Sequence, residues 1–167
     1  MHVYLTGFMG AGKTSVGRIL AARLGWGFVD LDELIEKRAG MTISEIFERL
    51  GEPEFRRMEE SALRQIAESE STVVATGGGT MIEPKNRQLF KERGVTVWLD
   101  VPLSTVVQRL GGQDTEKRPL FSDFEGVAKL YEDRLADYET SDLHIEIEPQ
   151  THVQEIAESV RRILETK

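Results

Sequence analysis

Gly7-Phe8-Met9-Gly10-Ala11-Gly12-Lys13-Thr14 fills every slot of the pattern GxxxxGK[ST]. Val3-Tyr4-Leu5 before it is a short apolar run that reads as a strand, and Val16, Ile19, Leu20 and Leu24 after it recur at helical spacing until Gly25 stops them. Strand, glycine loop and helix therefore come in the order a phosphate cradle needs. Glycines without a Cβ let backbone N–H groups turn inward around a polyphosphate, and the positive end of the following helix faces it. Lys13 is placed to reach the terminal phosphates and Thr14 to offer a hydroxyl to Mg²⁺. An ordinary glycine-rich turn is the competing reading; the filled slots and both flanking elements favour a nucleotide.

The 167 residues fit one α/β domain, 1–167, with one core. A net charge of −8 argues against a nucleic-acid partner, which calls for clustered Lys and Arg. A small substrate suits it better. No cysteine is present, so disulfides, Cys-ligated metals and thiol nucleophiles are excluded. The apolar runs are too short to span a bilayer, and the chain enters its first strand without a basic and apolar leader, so the expectation is a cytoplasmic protein with no membrane contact.

Strand-like runs recur at about 2–6, 26–30, 72–76, 95–99 and 143–147, separated by helical patterns. That alternation predicts parallel strands with helical crossovers. Thr42 and Glu45 have capping-box spacing before Ile46, Phe47 and Leu50, Gly51 follows as a stop, and Pro53 opens a helix carrying Phe55, Met58, Ala62, Leu63 and Ile66. Two helices are thus expected between strands two and three. Gly111 to Pro119 mixes paired glycines with charges and reads as a surface loop.

Three further clusters carry chemistry. Asp30 and Asp32 are two apart at the end of a strand, where both carboxylates can face the crevice shared with the phosphate loop. One can orient Mg²⁺ and the other a substrate hydroxyl; the alternative is a helix N-cap plus a solvated acid. Thr76-Gly77-Gly78-Gly79-Thr80 exposes backbone after a strand, either for close approach of a substrate or as a flexible connection. Arg56, Arg118 and Arg134 are each, taken alone, ordinary surface charges, although a guanidinium can hold a carboxylate or phosphate in a planar fork. His2, His144 and His152 lack metal-ligand spacing.

Taken together, GFMGAGKT at 7–14, FVDLDELIEKRAGMTISEIF at 28–47, EPEFRRME at 52–59, TGGGT at 76–80 and KRPL at 117–120 resemble the shikimate kinase family over essentially the whole chain. The resemblance implies a three-layer P-loop kinase fold: a five-stranded parallel sheet flanked by helices, a substrate-binding helical region at about 32–61 and a lid at about 111–124. The implied reaction moves the γ-phosphoryl group of ATP to the 3-hydroxyl of shikimate, on the route to chorismate and aromatic amino acids, in a monomer. Carried residue by residue, it assigns the ATP phosphates to Gly10, Ala11, Gly12, Lys13, Thr14 and Ser15, and Mg²⁺ to Thr14 and to a water on Asp30. Asp32 falls on the shikimate hydroxyls as candidate base, Arg56 and Arg134 on its carboxylate with backbone from Gly77, Gly78 and Gly79, and Arg118 on the phosphates. Arg109 and Pro149-Gln150 flank the adenine. Kinases of gluconate or nucleoside monophosphates, and a noncatalytic ATP-binding module, are the alternatives. The acceptor set Asp32, Arg56, Gly77 to Gly79 and Arg134 suits a carboxylated polyol better than either.

Overall fold

Val3, Tyr4 and Leu5 are apolar in succession because the strand they form, β1 (His2–Thr6), is buried on both faces at the centre of the sheet. The computed structural model describes residues 1–111 and 124–166. Its strands β1, β2 (Gly27–Asp30), β3 (Thr72–Ala75), β4 (Gly94–Asp100) and β5 (Leu143–Glu146) form one sheet in the order β2-β3-β1-β4-β5. Every pairing is parallel, with Leu5 opposite Ala75 and Val97. Parallel pairing sends the chain back through helical crossovers, so the loops after β1, β2 and β3 all open on one edge. Among the described residues no helix is long and apolar enough to cross a membrane.

The helices are α1 (Lys13–Leu24), α2 (Leu31–Ala39), α3 (Ile43–Leu50), α4 (Glu52–Ala67), α5 (Pro84–Arg93), α6 (Leu103–Gly111), α7 (Phe124–Tyr138) and α8 (Val153–Glu165). Local chemistry sets their ends. Thr42 and Glu45 close the expected capping box on α3, and Gly51, at φ 82°, both ends α3 and precedes α4. Helix α8 buries Ile156, Ala157 and Val160 and packs on α1, where Arg23 reaches Glu158 at 3.0 Å.

Two expectations need correction. Three helices, not two, join β2 to β3: Asp30 accepts hydrogen bonds from the N–H groups of Asp32 and Glu33, so α2 starts directly at the strand end and runs to Gly40. Asp32 therefore sits in the first turn of a helix rather than beside Asp30 on a strand. β2 also begins one residue late, because the Trp26 N–H is engaged by the Ala21 carbonyl at the end of α1.

Candidate active site

The loop 7–14 turns tightly between β1 and α1, with Gly7, Gly10 and Gly12 at φ 135°, 77° and 88°. A β-carbon on Gly7 would lie 2.6 Å from the Leu99 carbonyl oxygen, so neither its conformation nor its space admits a side chain. Lys13 donates from Nζ to the carbonyls of Gly7 and Phe8 at 2.7 and 2.9 Å, which folds its charge over the mouth of the loop. Ser15 follows it, exposed, in the first turn of α1. This is a site for an anion, built from backbone donors, a helix N-terminus and an ammonium group.

Thr14 Oγ1 donates to Asp30 Oδ2 at 2.5 Å, while the other Asp30 oxygen caps α2. Both readings of Asp30 thus hold at once: it caps a helix and presents an oxygen beside the loop hydroxyl. Among the described residues no group of three or more His, Cys, Asp and Glu is arranged around a cation. A pair of hard oxygens next to a polyphosphate cradle nonetheless fits Mg²⁺, which takes few protein ligands and fills its octahedron with water and phosphate.

Beside the cradle, three glycines meet three charged side chains. A β-carbon on Gly77 would lie 3.0 Å from Asp32 Oδ1, one on Gly78 3.0 Å from an Arg134 nitrogen, and one on Gly79 2.7 Å from an Arg56 nitrogen. The run is therefore glycine because Asp32, Arg56 and Arg134 converge on it from α2, α4 and α7. Asp32 Oδ1, Arg56 Nε and Arg134 Nε are buried and have no hydrogen-bond partner, and together they are half of the six such side-chain atoms on the described residues. An unpartnered buried polar atom is costly, and three in one place point to a polar ligand that completes them. Burial, above all, pushes the Asp32 carboxyl up to about 6; Lys13 opposes that shift, and the negative charges of Asp30, Glu59 and Glu36 reinforce it.

Glu59 is a functional candidate that sequence reasoning passed over. It is fully buried and accepts from Arg56 at 2.9 Å, from the Thr80 hydroxyl at 2.7 Å and from the Asn86 amide at 3.3 Å. The available signal was its spacing of three from Arg56 on one helix face, within the quoted EPEFRRME. Tyr138, whose hydroxyl donates to the Gly78 carbonyl at 2.5 Å, and Arg87, which reaches Asp137 at 2.8 Å, were likewise missed. Arg109 donates to the Gly10 carbonyl at 3.1 Å, so α6 does reach the phosphate loop. Gln150 hydrogen-bonds to Glu148, and no described contact brings it to that loop. Arg118 and the lid expected at about 111–124 fall on residues outside those described. His144, given no role, stacks on Trp98 at 4.2 Å and pairs with Asp100 at 2.8 Å.

Fold and cradle define a P-loop phosphotransferase with a charged, polar pocket beside the cradle. The model of the family "Shikimate kinase" matches residues 9–165. A shikimate kinase from Sulfurihydrogenibium sp. (strain YO3AOP1) is 41% identical over 163 residues, covering 97% of each chain. A shikimate kinase from Acinetobacter baumannii, solved in complex with shikimate, superposes with a TM-score of 0.90 at 37% identity, over 99% of this chain and 94% of that one. A gluconokinase from Sinorhizobium meliloti, at TM-score 0.59 and 17% identity over 99% of this chain and 91% of its own, shares the fold alone. The chain belongs to the shikimate kinase family.

Proposed function

We propose that the protein transfers the γ-phosphoryl group of ATP to the 3-hydroxyl of shikimate, giving shikimate 3-phosphate and ADP on the way to chorismate. The observation that carries this reading is the set of unpartnered buried atoms on Asp32, Arg56 and Arg134 around Gly77 to Gly79. Two guanidinium groups suit a single carboxylate, and a carboxylate on the cradle side suits a hydroxyl held toward the donor phosphate. A nucleoside monophosphate would need an apolar slot for its base, which this charged triad does not offer.

Phosphoryl transfer through a loose transition state depends on in-line positioning and on neutralising the equatorial oxygens. Lys13 and the N–H groups from Gly10 to Ser15 hold the donor, and Arg118 adds a second positive charge to the transferred group. Thr14, with a water on Asp30, would hold Mg²⁺, which when bound draws charge from the β- and γ-phosphates. Asp32 accepts a hydrogen bond from the acceptor hydroxyl and takes its proton as the new P–O bond forms. Single-domain organisation, a monomeric state, adenine contacts from Arg109 and Gln150 and a cytoplasmic setting belong to the same proposal.

ADP release measured with shikimate, quinate, gluconate and nucleoside monophosphates in turn tests it. Shikimate should stimulate turnover most, and the product should carry phosphate at the 3-hydroxyl. Phosphorylation of gluconate or a nucleotide, with shikimate inert, would falsify the assignment.

A further inference from the structure

The two arginines of the acceptor pocket are held in different ways. Arg56 bonds Glu59 at 2.9 Å and Glu52 at 3.2 Å on its own helix, so its fork is fixed before any ligand arrives. Arg134 pairs with no carboxylate among the described residues; it lies over the Phe8 ring at 5.7 Å and against the Tyr138 hydroxyl. Its position is therefore inherited from that of α7. Between α7 and the β4–β5 edge lies a solvent-open cleft of about 370 Å³, lined by Trp98, Asp100, Tyr131, Leu135 and His144 among others. Tyr131, bonded to the Val101 carbonyl at 3.1 Å, and Tyr138, its ring 5.9 Å from that of Trp98, hold α7 on that side, and polar ties to the glycine turn hold its C-terminal end on the other.

Those ties converge on the glycine turn. Asp137 and Tyr138 follow Arg134 by three and four residues, so all three share one face of α7. Tyr138 bonds the Gly78 carbonyl. Arg87, from α5, donates one guanidinium nitrogen to the carbonyls of Met81 and Ile82, at 2.5 and 2.9 Å, and to Asp137 at 2.8 Å. That nitrogen thus joins the 3₁₀ turn Thr80–Ile82, which continues the glycine run, to the helix that carries Arg134. The side chains of the pair are 25% and 28% exposed, sheltered enough for the contact to count.

We infer that Asp137, through Arg87, is a positioning residue for the acceptor carboxylate: it sets the register of α7 on the glycine turn so that the Arg134 fork faces the bound acid. The inference rests on the shikimate reading and deepens it. The Asp137 carboxylate bonds Arg87, and no contact ties it to Asp32, Arg56, Arg134 or the phosphate loop among the described residues, so its loss acts on the carboxylate subsite and leaves the phosphate cradle alone.

The test compares shikimate with its methyl ester, which keeps the ring and hydroxyls and removes the negative charge. Asp137→Ala should raise the KM for shikimate about tenfold, keep kcat and the KM for ATP within about twofold, and shrink the discrimination between acid and ester by the same tenfold. Asp137→Asn still accepts the hydrogen bond from Arg87 and should keep discrimination within about threefold of wild type. If the alanine chain does not fold, Asp137→Ser, too short to reach Arg87 but suited to a helix end, gives the same readout. A variant that melts earlier yet discriminates as wild type does, or that loses acid and ester equally, overturns the inference and leaves the shikimate reading standing. A wild-type protein inert toward shikimate overturns both.

Discussion

The phosphate cradle and the acceptor pocket sit side by side and are finished to different degrees. The cradle closes on itself: Lys13 rests on two carbonyls of its own loop, Thr14 on Asp30, and Asp30 on α2. The acceptor pocket gathers Asp32, Arg56 and Arg134 from three helices and leaves a buried polar atom on each without a partner. A cradle made of eight consecutive residues can be satisfied locally, whereas groups aimed at a shared ligand cannot also satisfy one another. That difference predicts where substitutions cost activity and where they cost stability.

The largest effect should come from the cradle. Lys13→Met removes a positive charge from the transferring group, and turnover should fall by about 10³-fold while calorimetric shikimate affinity stays close to wild type. Asp32→Asn should lower shikimate-dependent turnover by about 10²-fold and leave nucleotide affinity nearly unchanged, which separates acceptor from donor function. Normal turnover in Asp32→Asn would remove this residue from the catalytic set.

The same substitution should stabilise the ligand-free fold. The Asp32 carboxyl is raised from 3.8 to about 6 when folded, so its contribution is fully favourable below pH 3.8 and is lost as pH rises through about 6. At pH 8 the folded protein holds a buried carboxylate that it disfavours by at most about 3 kcal/mol, and Asp32→Asn removes that penalty. A higher melting temperature at pH 8, with little gain at pH 4, is the expected pattern. Activity runs the other way: if the ionised form accepts the proton, kcat/KM for shikimate falls as pH drops through about 6.

Arg56 and Arg134 sharpen the comparison within the pocket. Alanine at either should raise the KM for shikimate by about 10² and leave that for ATP alone. Only Arg56→Ala strands a fully buried carboxylate, that of Glu59, and it should also lose about 2–4 kcal/mol in chemical denaturation. Equal stability in the two variants would show that Thr80 and Asn86 suffice to hold Glu59.

What the sequence disclosed follows the same division. The cradle, the capping box at Thr42 and the five strands are local or periodic, and parallel strands hidden on both faces announce themselves as apolar runs. Helix α2 was legible only as the alternative reading of the Asp30–Asp32 pair and was left out of the count of crossover helices, because Asp30 ends a strand and caps a helix in a single residue, with no connecting loop between them. Arg56 and Arg134 were legible through family resemblance alone, since an isolated arginine in a helix reads as a surface charge. Glu59 showed only its spacing of three from Arg56, while its bond to Thr80, 21 positions on, and the Arg87–Asp137 pair, 50 apart, join residues that no pattern of spacing brings together.

The smallest expected effect lies at the opposite edge of the sheet and serves as a control for the pH argument. His2 begins β1, buried, with Nδ1 unpartnered. Burial lowers its affinity for a proton, opposed by a bond to the Ala67 backbone and aided by the N-terminus and Arg93. Because the unfolded chain then binds the proton more readily, stability is retained above pH 6.5 and declines as pH falls from there toward the folded value. That slope is opposite in sign to the one from Asp32, and the two overlap near pH 6. His2→Phe should flatten the acid limb of the melting profile, by a shift of no more than about 4 °C, without changing the KM for either substrate. Melting His2→Phe, Asp32→Asn and the double variant from pH 5 to 8 separates the two contributions. The groups lie at opposite ends of the strands and share no contact, so their effects should add. A double variant that departs from additivity would show that protonation at the N-terminal edge reaches the acceptor pocket.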